Sequence, residues 1–541
     1  MRHTLIGLGW LLCPAALFAA PVPAGQPASA APASQAQLQA AGRDYTQNLM
    51  QVLGIVETNY VRPVRRADLI EAALAGLYEA AGAPAPGGLK AAVQQAEKDN
   101  ALEALLVKTR AGLGNPEPLQ GHKALIASCR AMMRSLDPFC SVVTGVEAAT
   151  ASGYDQNFGL GIDLVEKSGP GPLIIKAVVP GGPAQRAGLQ PGDHILAVDG
   201  KEIRLLSTEQ GLQLLNGAVP DDGGDVRNLR PIPPPGVLIP GEASRTSSPA
   251  RLTVRSPGEK GERKLTVIRD HFEPETVQGV TRHDDNSWDY WVDAKRRIAH
   301  IRIVTLARHT PGELERVLAR LDSGERLRGL ILDLRWCPGG YLTSATGAAS
   351  LFLEDGVIAR TKGRAEAEQV YQALSEEERK FLRCPVVVLV NGETSGGGEL
   401  IAAALQDHKR AVVAGQRTRG KGSIQSPVPV PLLREGGGFD GTLEIRLTSG
   451  TFLRPSGKGL NRFADSKPSD DWGVRPDPKL EFRVSTDLGR RLKEWWQQQA
   501  LRPGASDKAL PLDDPEQDPQ RQAALKALLG LMAEKGVTGA R

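Results

Sequence analysis

Apolar and polar positions along the chain fall into three textures. From residue 42 to 150 the spacing is helical: Leu49, Val52, Leu53, Val56 and Tyr60 recur every three or four residues, and Leu69, Ala72, Ala73, Leu74 and Leu77 repeat the pattern. The Ala/Gly/Pro stretch 81–88 interrupts it. A polar helix is predicted from Leu89 to Arg110, and the apolar period resumes from Ala124 to Met133 until Ser135-Leu-Asp-Pro138 ends it. From Phe158 the runs shorten to the β-type sequences GLGIDLVE, PLIIKAVV and DHILAVDGKEI, punctuated by Gly and Pro. Residues 218–250 are rich in Pro, Gly, Asp and Ser and predict a loop insertion, after which RLTVRS and RKLTVIRD read as strands. From about Trp288 the strand-like AHIRIV, LRGLILDLR, PVVVLVN and RAVVAG alternate with the helical TPGELERVLARLDS and GELIAAALQDH. Such continuous apolar strands between helices predict an α/β layer with a largely parallel sheet. A Pro/Asp-rich linker follows residue 503, and one amphipathic helix is predicted from Gln520 to Lys535.

A length of 541 residues suggests three or four domains. With 41% hydrophobic and 24% charged residues, collagen-like, coiled-coil and wholly disordered chains are excluded. The net charge of +4 (66 − 62) has no basic block behind it, so no nucleic-acid partner is expected. Met1-Arg2-His3 precedes an apolar run from Leu5 to Ala20 that carries Gly7, Gly9 and Pro14 and is short for a membrane span. It reads as a signal peptide ending near residue 24, followed by a Pro/Ala-rich linker over 25–41. Export to the periplasm or the extracellular space is therefore expected, with a membrane tether if the leader stays on, and no other stretch reaches spanning length. Removal of the leader leaves Cys129, Cys140, Cys337 and Cys384. They form no C-x-x-C pair and no His cluster joins them, so neither a metal site nor a cofactor is read; export permits a disulfide without choosing its partners.

Phe158-Gly-Leu-Gly-Ile162, then Pro180-Gly-Gly-Pro-Ala-Gln-Arg-Ala-Gly-Leu-Gln-Pro-Gly-Asp193 and Ile195-Leu-Ala-Val-Asp-Gly200, together resemble a PDZ domain. The resemblance implies that Gly159, Leu160, Gly161 and Ile162 form a carboxylate-binding loop. Backbone N–H groups there would turn around the C-terminus of a protein or peptide, which adds a strand to the neighbouring edge. One G-x-G alone would be an ordinary turn; the ordered set of three segments is specific.

Further segments resemble the carboxyl-terminal processing peptidases, serine peptidases of family S41 with an embedded PDZ domain. They are Leu327-Arg-Gly-Leu-Ile-Leu-Asp-Leu-Arg335, Pro338-Gly-Gly340, Pro385-Val-Val-Val-Leu-Val-Asn-Gly392, Glu399-Leu-Ile-Ala-Ala-Ala-Leu-Gln-Asp407, Arg417-Thr-Arg-Gly-Lys-Gly-Ser-Ile-Gln425 and Gly473-Val-Arg-Pro-Asp477. The resemblance covers roughly residues 42–480 and implies a multidomain α/β protein. Its parts would be a helical N-terminal domain (42–150), a PDZ domain (155–272), a peptidase core with a largely parallel sheet (280–485) and a C-terminal helical extension (486–541). In this family a lysine replaces histidine as general base and must be desolvated to accept a proton. Lys421 matches that lysine, and Gln425 the residue that positions it. The resemblance assigns oxyanion-stabilising amides to Gly339 and Gly340 and to Gly397, the residue after the nucleophile.

The nucleophile departs from the pattern. Family members carry S/T-x-Ser-x-x-Glu, whereas Thr394-Ser-Gly-Gly-Gly-Glu399 puts Gly396 at the serine's position. Ser395 lies one residue early, and the glycines after it offer a flexible backbone that could bring it toward Lys421; as a plain residue it would be a turn or helix N-cap. Three readings follow: an exported serine endopeptidase acting on proteins selected by their C-termini, an inactive relative that binds C-termini as adaptor or regulator, and a purely structural PDZ-containing scaffold. Glu399 and Asp407, eight apart on the predicted helix, should lie roughly on one face, in structural rather than catalytic roles. His300, His309 and His408 have no Cys or Ser constellation, and Trp495-Trp496 should pack against the core.

Overall fold

The computed structural model describes residues 34–143, 157–166, 169–215, 217, 248–283, 286–325, 327–364, 368–374, 382–433, 439–501, 518–534 and 536. The expected signal peptide, residues 218–247 of the expected insertion, and the stretch 502–517 lie outside them.

Five helices open the chain: α1 (Gln35–Asn59), α2 (Arg66–Ala80), α3 (Leu89–Lys98), α4 (Leu102–Gly112) and α5 (Lys123–Leu136). Helix α1 begins at Gln35 rather than at residue 42. Ser34 and Gln37 form a reciprocal capping box there, each side chain accepting from the other's backbone N–H. The single polar helix expected over 89–110 is two helices, because Asn100 adopts φ 55° and turns the chain between them. The periodic residues of α1 and α2 bury against Met132 and Met133 of α5. They also bury against Val430, Leu432, Leu443, Ile445 and Leu447, more than 350 residues later (430 − 77 = 353).

After β1 (Ser141–Val143) comes a β-rich unit: β2 (Asn157–Gly159), β3 (Ile162–Leu164), β4 (Leu173–Val178), α6 (Pro183–Arg186), β5 (His194–Val198), β6 (Lys201–Glu202), α7 (Thr208–Leu215), β7 (Ser248–Arg255) and β8 (Arg263–Phe272). Its seven-stranded sheet runs β2-β8-β7-β5-β4-β3 with β6 on β5, around a core that includes Leu173, Ile175, Ile195, Leu252 and Val267.

The third part contains β9 (Val277–Gln278), the short hairpin β10 (Thr281–Arg282) and β11 (Trp288–Asp289), β12 (Trp291–Asp293), β13 (Ile298–Ile303), α8 (Thr310–Glu325), β14 (Gly329–Asp333), α9 (Leu342–Ser350), β15 (Val357–Gly363), β16 (Gln369–Gln372), β17 (Val386–Val390), α10 (Gly397–Asp407), β18 (Ala411–Gly415), β19 (Ser423–Leu433), β20 (Phe439–Leu453), α11 (Thr486–Leu501) and α12 (Pro519–Glu534). Strands β13, β14, β17 and β18 are parallel neighbours, with β12 and β9 antiparallel on β13. Alternate residues face opposite layers. Leu330, Leu332, Val386 and Val388 meet α8, α9 and α10, whereas Ile331, Val387 and Leu389 meet Ala524, Leu528 and Met532 of α12. The chain is thus a multidomain α/β protein: N-terminal helices, a β-rich PDZ-like unit and an α/β core. No helix among the described residues is long and apolar enough to cross a membrane.

A second, antiparallel sheet runs β1-β20-β15-β16, with β19 also on β20. The sequence pattern did not announce it. Pro427, Pro429 and Pro431 sit in β19 at alternate positions, exposed, while Val430 and Leu432, at the intervening parity, are buried. Alternate residues aim their N–H groups to the same side. All three prolines therefore forfeit donors only on the side away from β20, where a strand tolerates them.

Candidate active site and peptide-binding loop

The Gly159–Ile162 loop joins β2 to β3, the terminal strand of its sheet. Leu160 O accepts from Ala184 N–H and Gly161 O from Val179 N–H, both at 2.8 Å. With its carbonyls turned inward, the loop leaves the N–H groups of Leu160 and Gly161 without an acceptor among the described residues. Gly161 has φ 72°, and a Cβ there would stand 3.3 Å from Phe272 Cζ, so both backbone and space call for glycine. Unpaired amides beside an open strand edge suit a carboxylate followed by an extended chain.

The other site is assembled where β17 turns into α10. Asn391 Oδ1 accepts the N–H groups of Trp336, Glu393 and Thr394, and Thr394 Oγ1 donates to Leu334 O at 2.8 Å. These bonds clamp the turn to the end of β14 and to the Pro338–Gly340 loop that follows it. Ser395 N–H donates to Cys337 O at 2.9 Å; Ser395 is 2% exposed, and its hydroxyl makes no hydrogen bond among the described residues. Gly396 heads α10 with φ 57° and ψ −120°. A Cβ on it would face Pro338 O at 3.5 Å and Gly339 Cα at 3.7 Å, ordinary contacts. Gly339 lies so close to the turn that its own Cβ would come within 2.8 Å of Gly397 N. Among the described residues the N–H groups of Gly340 and Gly397 find no acceptor. That of Gly339 approaches the Cys337 thiol, which burial pushes up to about 12.

Glu399 connects this turn to the lysine. The side chain is fully buried, and its two oxygens accept from four groups: Oε2 from Gly396 N–H (3.0 Å) and Lys421 N–H (2.7 Å), Oε1 from Gly420 N–H (2.7 Å) and Thr418 Oγ1 (2.5 Å). Burial nevertheless pushes its carboxyl up to about 7. The lysine loop is pinned on its other side by Arg419 N–H to Thr394 O (3.0 Å) and Arg462 N–H to Gly420 O (2.7 Å). A Cβ on Gly422 would lie 2.4 Å from Asn461 N, which excludes any larger residue. The Lys421 ammonium has no hydrogen bond or ion pair among the described residues. Burial pulls its pKa below the ordinary range, Arg419 and Arg446 pull the same way, and Glu399 opposes them. Gln425 donates through Nε2 to Thr448 Oγ1 (2.7 Å) and Ser423 Oγ (3.1 Å), and its Oε1 is buried without a partner.

The fold therefore brings Gly396, Gly397, the 338–340 loop and the Lys421 loop together around one carboxylate. No hydrogen bond joins Ser395 to Lys421 among the described residues. Glu399 is the residue that pattern reading undervalued, because its four donors lie three to twenty-two positions away. Asp407 lies at the far end of α10, bonded to Arg454 (2.6 and 3.0 Å) and to Ser456 N–H, in the structural role expected of it. Gly396, Lys421 and Gln425 are not among the residues bounding the cavity of about 190 Å³ that Arg454, Lys458, Trp472 and Asp477 help to line.

Just before the Pro338 loop lies a buried ionic cluster. Arg335 bonds Asp333 at 2.8–3.2 Å and, across 183 residues, Asp518 at 2.8 and 2.9 Å. His300 Nε2 is 3.2 Å from Asp333 Oδ2, and burial pushes the imidazole down to about 4. Arg302 lies over the Trp496 ring at 4.2 Å, and Trp495 and Trp496 are both buried. His309 and His408 meet the backbone oxygens of Pro274 and Val357. Cys129, Cys140, Cys337 and Cys384 are free thiols.

Residues 297–479 match the model of peptidase family S41, and residues 174–221 that of the PDZ domain. The chain is 27% identical over 372 residues to a carboxy-terminal-processing protease of Bartonella bacilliformis, covering 66% of this chain and 70% of that one. It is 26% identical over 366 residues to a carboxy-terminal processing protease of Bacillus subtilis, covering 66% and 64%. A carboxyl-terminal-processing protease of Synechocystis is 28% identical over 314 residues, covering 57% and 64%. The chain thus spans about two thirds of the length of these relatives.

Proposed function

This chain is a PDZ-bearing relative of the carboxy-terminal-processing peptidases of family S41, and from that premise we propose that it is an exported protein that captures the C-termini of other proteins on Gly159–Ile162 and presents them to an S41 cleft that does not cut. The unpaired amides of Leu160 and Gly161 support the capture step. Gly396 carries the rest: it occupies the head of α10, facing the loop of expected oxyanion donors, and offers no nucleophilic atom. Ser395 is a poor substitute. Its N–H is tied to Cys337 O, and a shift of one position moves a side chain by ~3.8 Å along the chain, where errors of ~1 Å can cost about a hundredfold in rate.

One observation favours the competing reading, a serine endopeptidase using Ser395. The Lys421 amine is unpaired, and burial holds it below its ordinary pKa, as a general base requires. Cleavage of an unstructured protein with an apolar C-terminus decides between them. The binding-only reading expects no cleavage by the wild type and new cleavage by Gly396→Ser, in which the positive φ costs about 1–3 kcal/mol of stability. Cleavage by the wild type that is lost in both Ser395→Ala and Lys421→Ala would sink it in favour of a displaced Ser–Lys pair. Absence of C-terminal peptide binding would remove the capture step. Export is checked by fractionation and by sequencing the mature N-terminus.

A further inference from the structure

Arg417-Thr-Arg-Gly-Lys421 places three cations in five residues with no acid between them. The Arg417 guanidinium is spent on backbone: it donates to the carbonyls of Pro468, Asp470 and Trp472 at 2.6–3.1 Å and lies 3.3 Å from the centre of the Trp472 ring. Arg419 is the opposite case. Its N–H is tied to Thr394 O, two residues before Gly396, but its side chain is exposed and has no hydrogen bond or ion pair among the described residues. Two residues on, the N–H of Lys421 shares one acceptor, Glu399 Oε2, with the N–H of Gly396. Arg462 reaches the same loop from another segment. Its N–H donates to Gly420 O at 2.7 Å, and a Cβ on Gly420 would stand 2.8 Å from its own Cβ. Its guanidinium is 4.7 Å from the Trp472 ring centre, exposed and without an acceptor among the described residues.

Acids on the surrounding segments are already engaged. Glu393, ahead of the Gly396 turn, is bonded to Lys493 at 2.5 Å, and Glu444 to Arg446 at 3.1 Å. Asp465 is bonded to Arg62 at 3.2 Å and Asp471 to Lys458 at 3.0 Å. Glu399 lies buried beneath the loop. Positive charge is therefore left over beside the Gly396 turn, and the cations act on one another. Burial, then Arg419 and Arg446, pull Lys421 below its ordinary range; burial, then Arg475 and Arg462, pull Arg417 down to about 10 against the opposing charge of Asp471. A negative charge added here would relieve that repulsion.

We propose that Arg419 and Arg462 form a selectivity patch beside the cleft, which favours captured proteins that carry an acidic stretch upstream of the C-terminus. The proposal rests on reading the Gly396–Lys421 region as the cleft that receives the captured chain. A chain lying across that region passes Arg419, which is tied to the turn on one side and leads into Lys421 on the other. Each guanidinium keeps free the planar fork that takes a carboxylate through two hydrogen bonds. Exposed pairs are individually weak, so the patch biases the choice among captured chains and does not replace capture on Gly159–Ile162.

The test uses peptides with a Glu-rich or a Gln-rich stretch of equal length, each ending in the same apolar residues with a free or an amidated C-terminus. The stretch is placed about 10, 20 or 30 residues upstream, a reach of ~3.3 Å per residue. Binding to the full-length chain is measured by fluorescence anisotropy. Free against amidated reports capture; Glu-rich against Gln-rich reports the patch. At low ionic strength the Glu-rich peptide binds about fivefold more tightly at one or more spacings, and the ratio shrinks as salt is raised. Arg419→Gln and Arg462→Gln each lower the ratio and the double variant brings it near one, whereas Arg419→Lys keeps most of it. Arg134→Gln removes an exposed arginine of α5, bonded to Glu79 at 3.3 Å, and leaves the ratio unchanged, which controls for overall charge. Equal binding of Glu-rich and Gln-rich peptides at every spacing overturns the proposal, as does a ratio that survives in the double variant or falls equally in Arg134→Gln. If the double variant does not fold, Arg419→Gln, which has no side-chain partner to lose, carries the comparison. Loss of the free-over-amidated difference with the Glu-rich preference intact would remove capture and leave the patch standing.

Discussion

Asp333, at the end of β14, and Glu399, in the first turn of α10, are both carboxylates with no exposed surface, and they answer burial in opposite ways. Burial pushes each toward the neutral form. For Asp333 the Arg335 guanidinium and the His300 hydrogen bond outweigh that push and hold the carboxyl well below the usual carboxylate range. Glu399 has four donors but no bonded cation, and it rises to about 7. Hydrogen-bond dipoles orient a buried carboxylate; a full charge about 3 Å away is what keeps it ionised. Asp333 thus serves as a fixed anchor for the strand that leads to Pro338–Gly340. Glu399 joins the Gly396 turn to the Lys421 loop through a carboxyl that burial pushes up to about 7.

Breaking the anchor should have the largest effect. Arg335→Met takes the bonded guanidinium from Asp518 and from Asp333, which keeps only His300 at 3.2 Å and Arg302 at 3.7 Å, and denaturant unfolding should register a loss of about 3–5 kcal/mol. Next, Glu399→Gln replaces one of two accepting oxygens with a donor and leaves two of four N–H or O–H groups unanswered. A loss of about 2–3 kcal/mol is expected, with faster hydrogen exchange at Gly420 and Lys421. A result near zero would mean that the carboxylate does not hold the loops together.

The pH dependence sharpens the contrast. Because the folded pKa of Glu399 lies above its unfolded value of about 4.3, its contribution is complete below that value and is lost as pH rises through about 7. Asp333 has the opposite sign: its contribution is present above the unfolded value of about 3.9 and is lost only as pH falls. Between about pH 5 and 8, the stability gap between wild type and Glu399→Gln should shrink while the gap to Asp333→Asn stays flat. Equal slopes would erase the distinction. The smallest effect expected is from Lys421→Met, which removes a partly buried ammonium with no partner and should raise the melting temperature slightly. A fall would reveal a partner.

Features encoded by neighbours were legible in the sequence. The periods of α1, α2 and α5 and the apolar runs of β14 and β17 each declare themselves within a few residues. Gly396 was also visible, because its position is counted from Glu399 and Lys421 along the chain. What escaped depends on distant segments. Prolines at 427, 429 and 431 mask β19 until β20 supplies its partner. Glu399 looks like an ordinary first-turn acid until the 418–421 loop arrives. Nothing near Arg335 announces Asp518, and nothing near Gln425 announces Thr448.

Helix α12 has a consequence for how the protein is made. It supplies the layer beneath Ile331, Val387 and Leu389, together with Asp518 for Arg335, yet it is encoded after every strand it covers. On the ribosome, β13 to β18 emerge with one apolar face uncovered and a guanidinium short of one counter-charge. The central sheet can close only once α12 has emerged behind it.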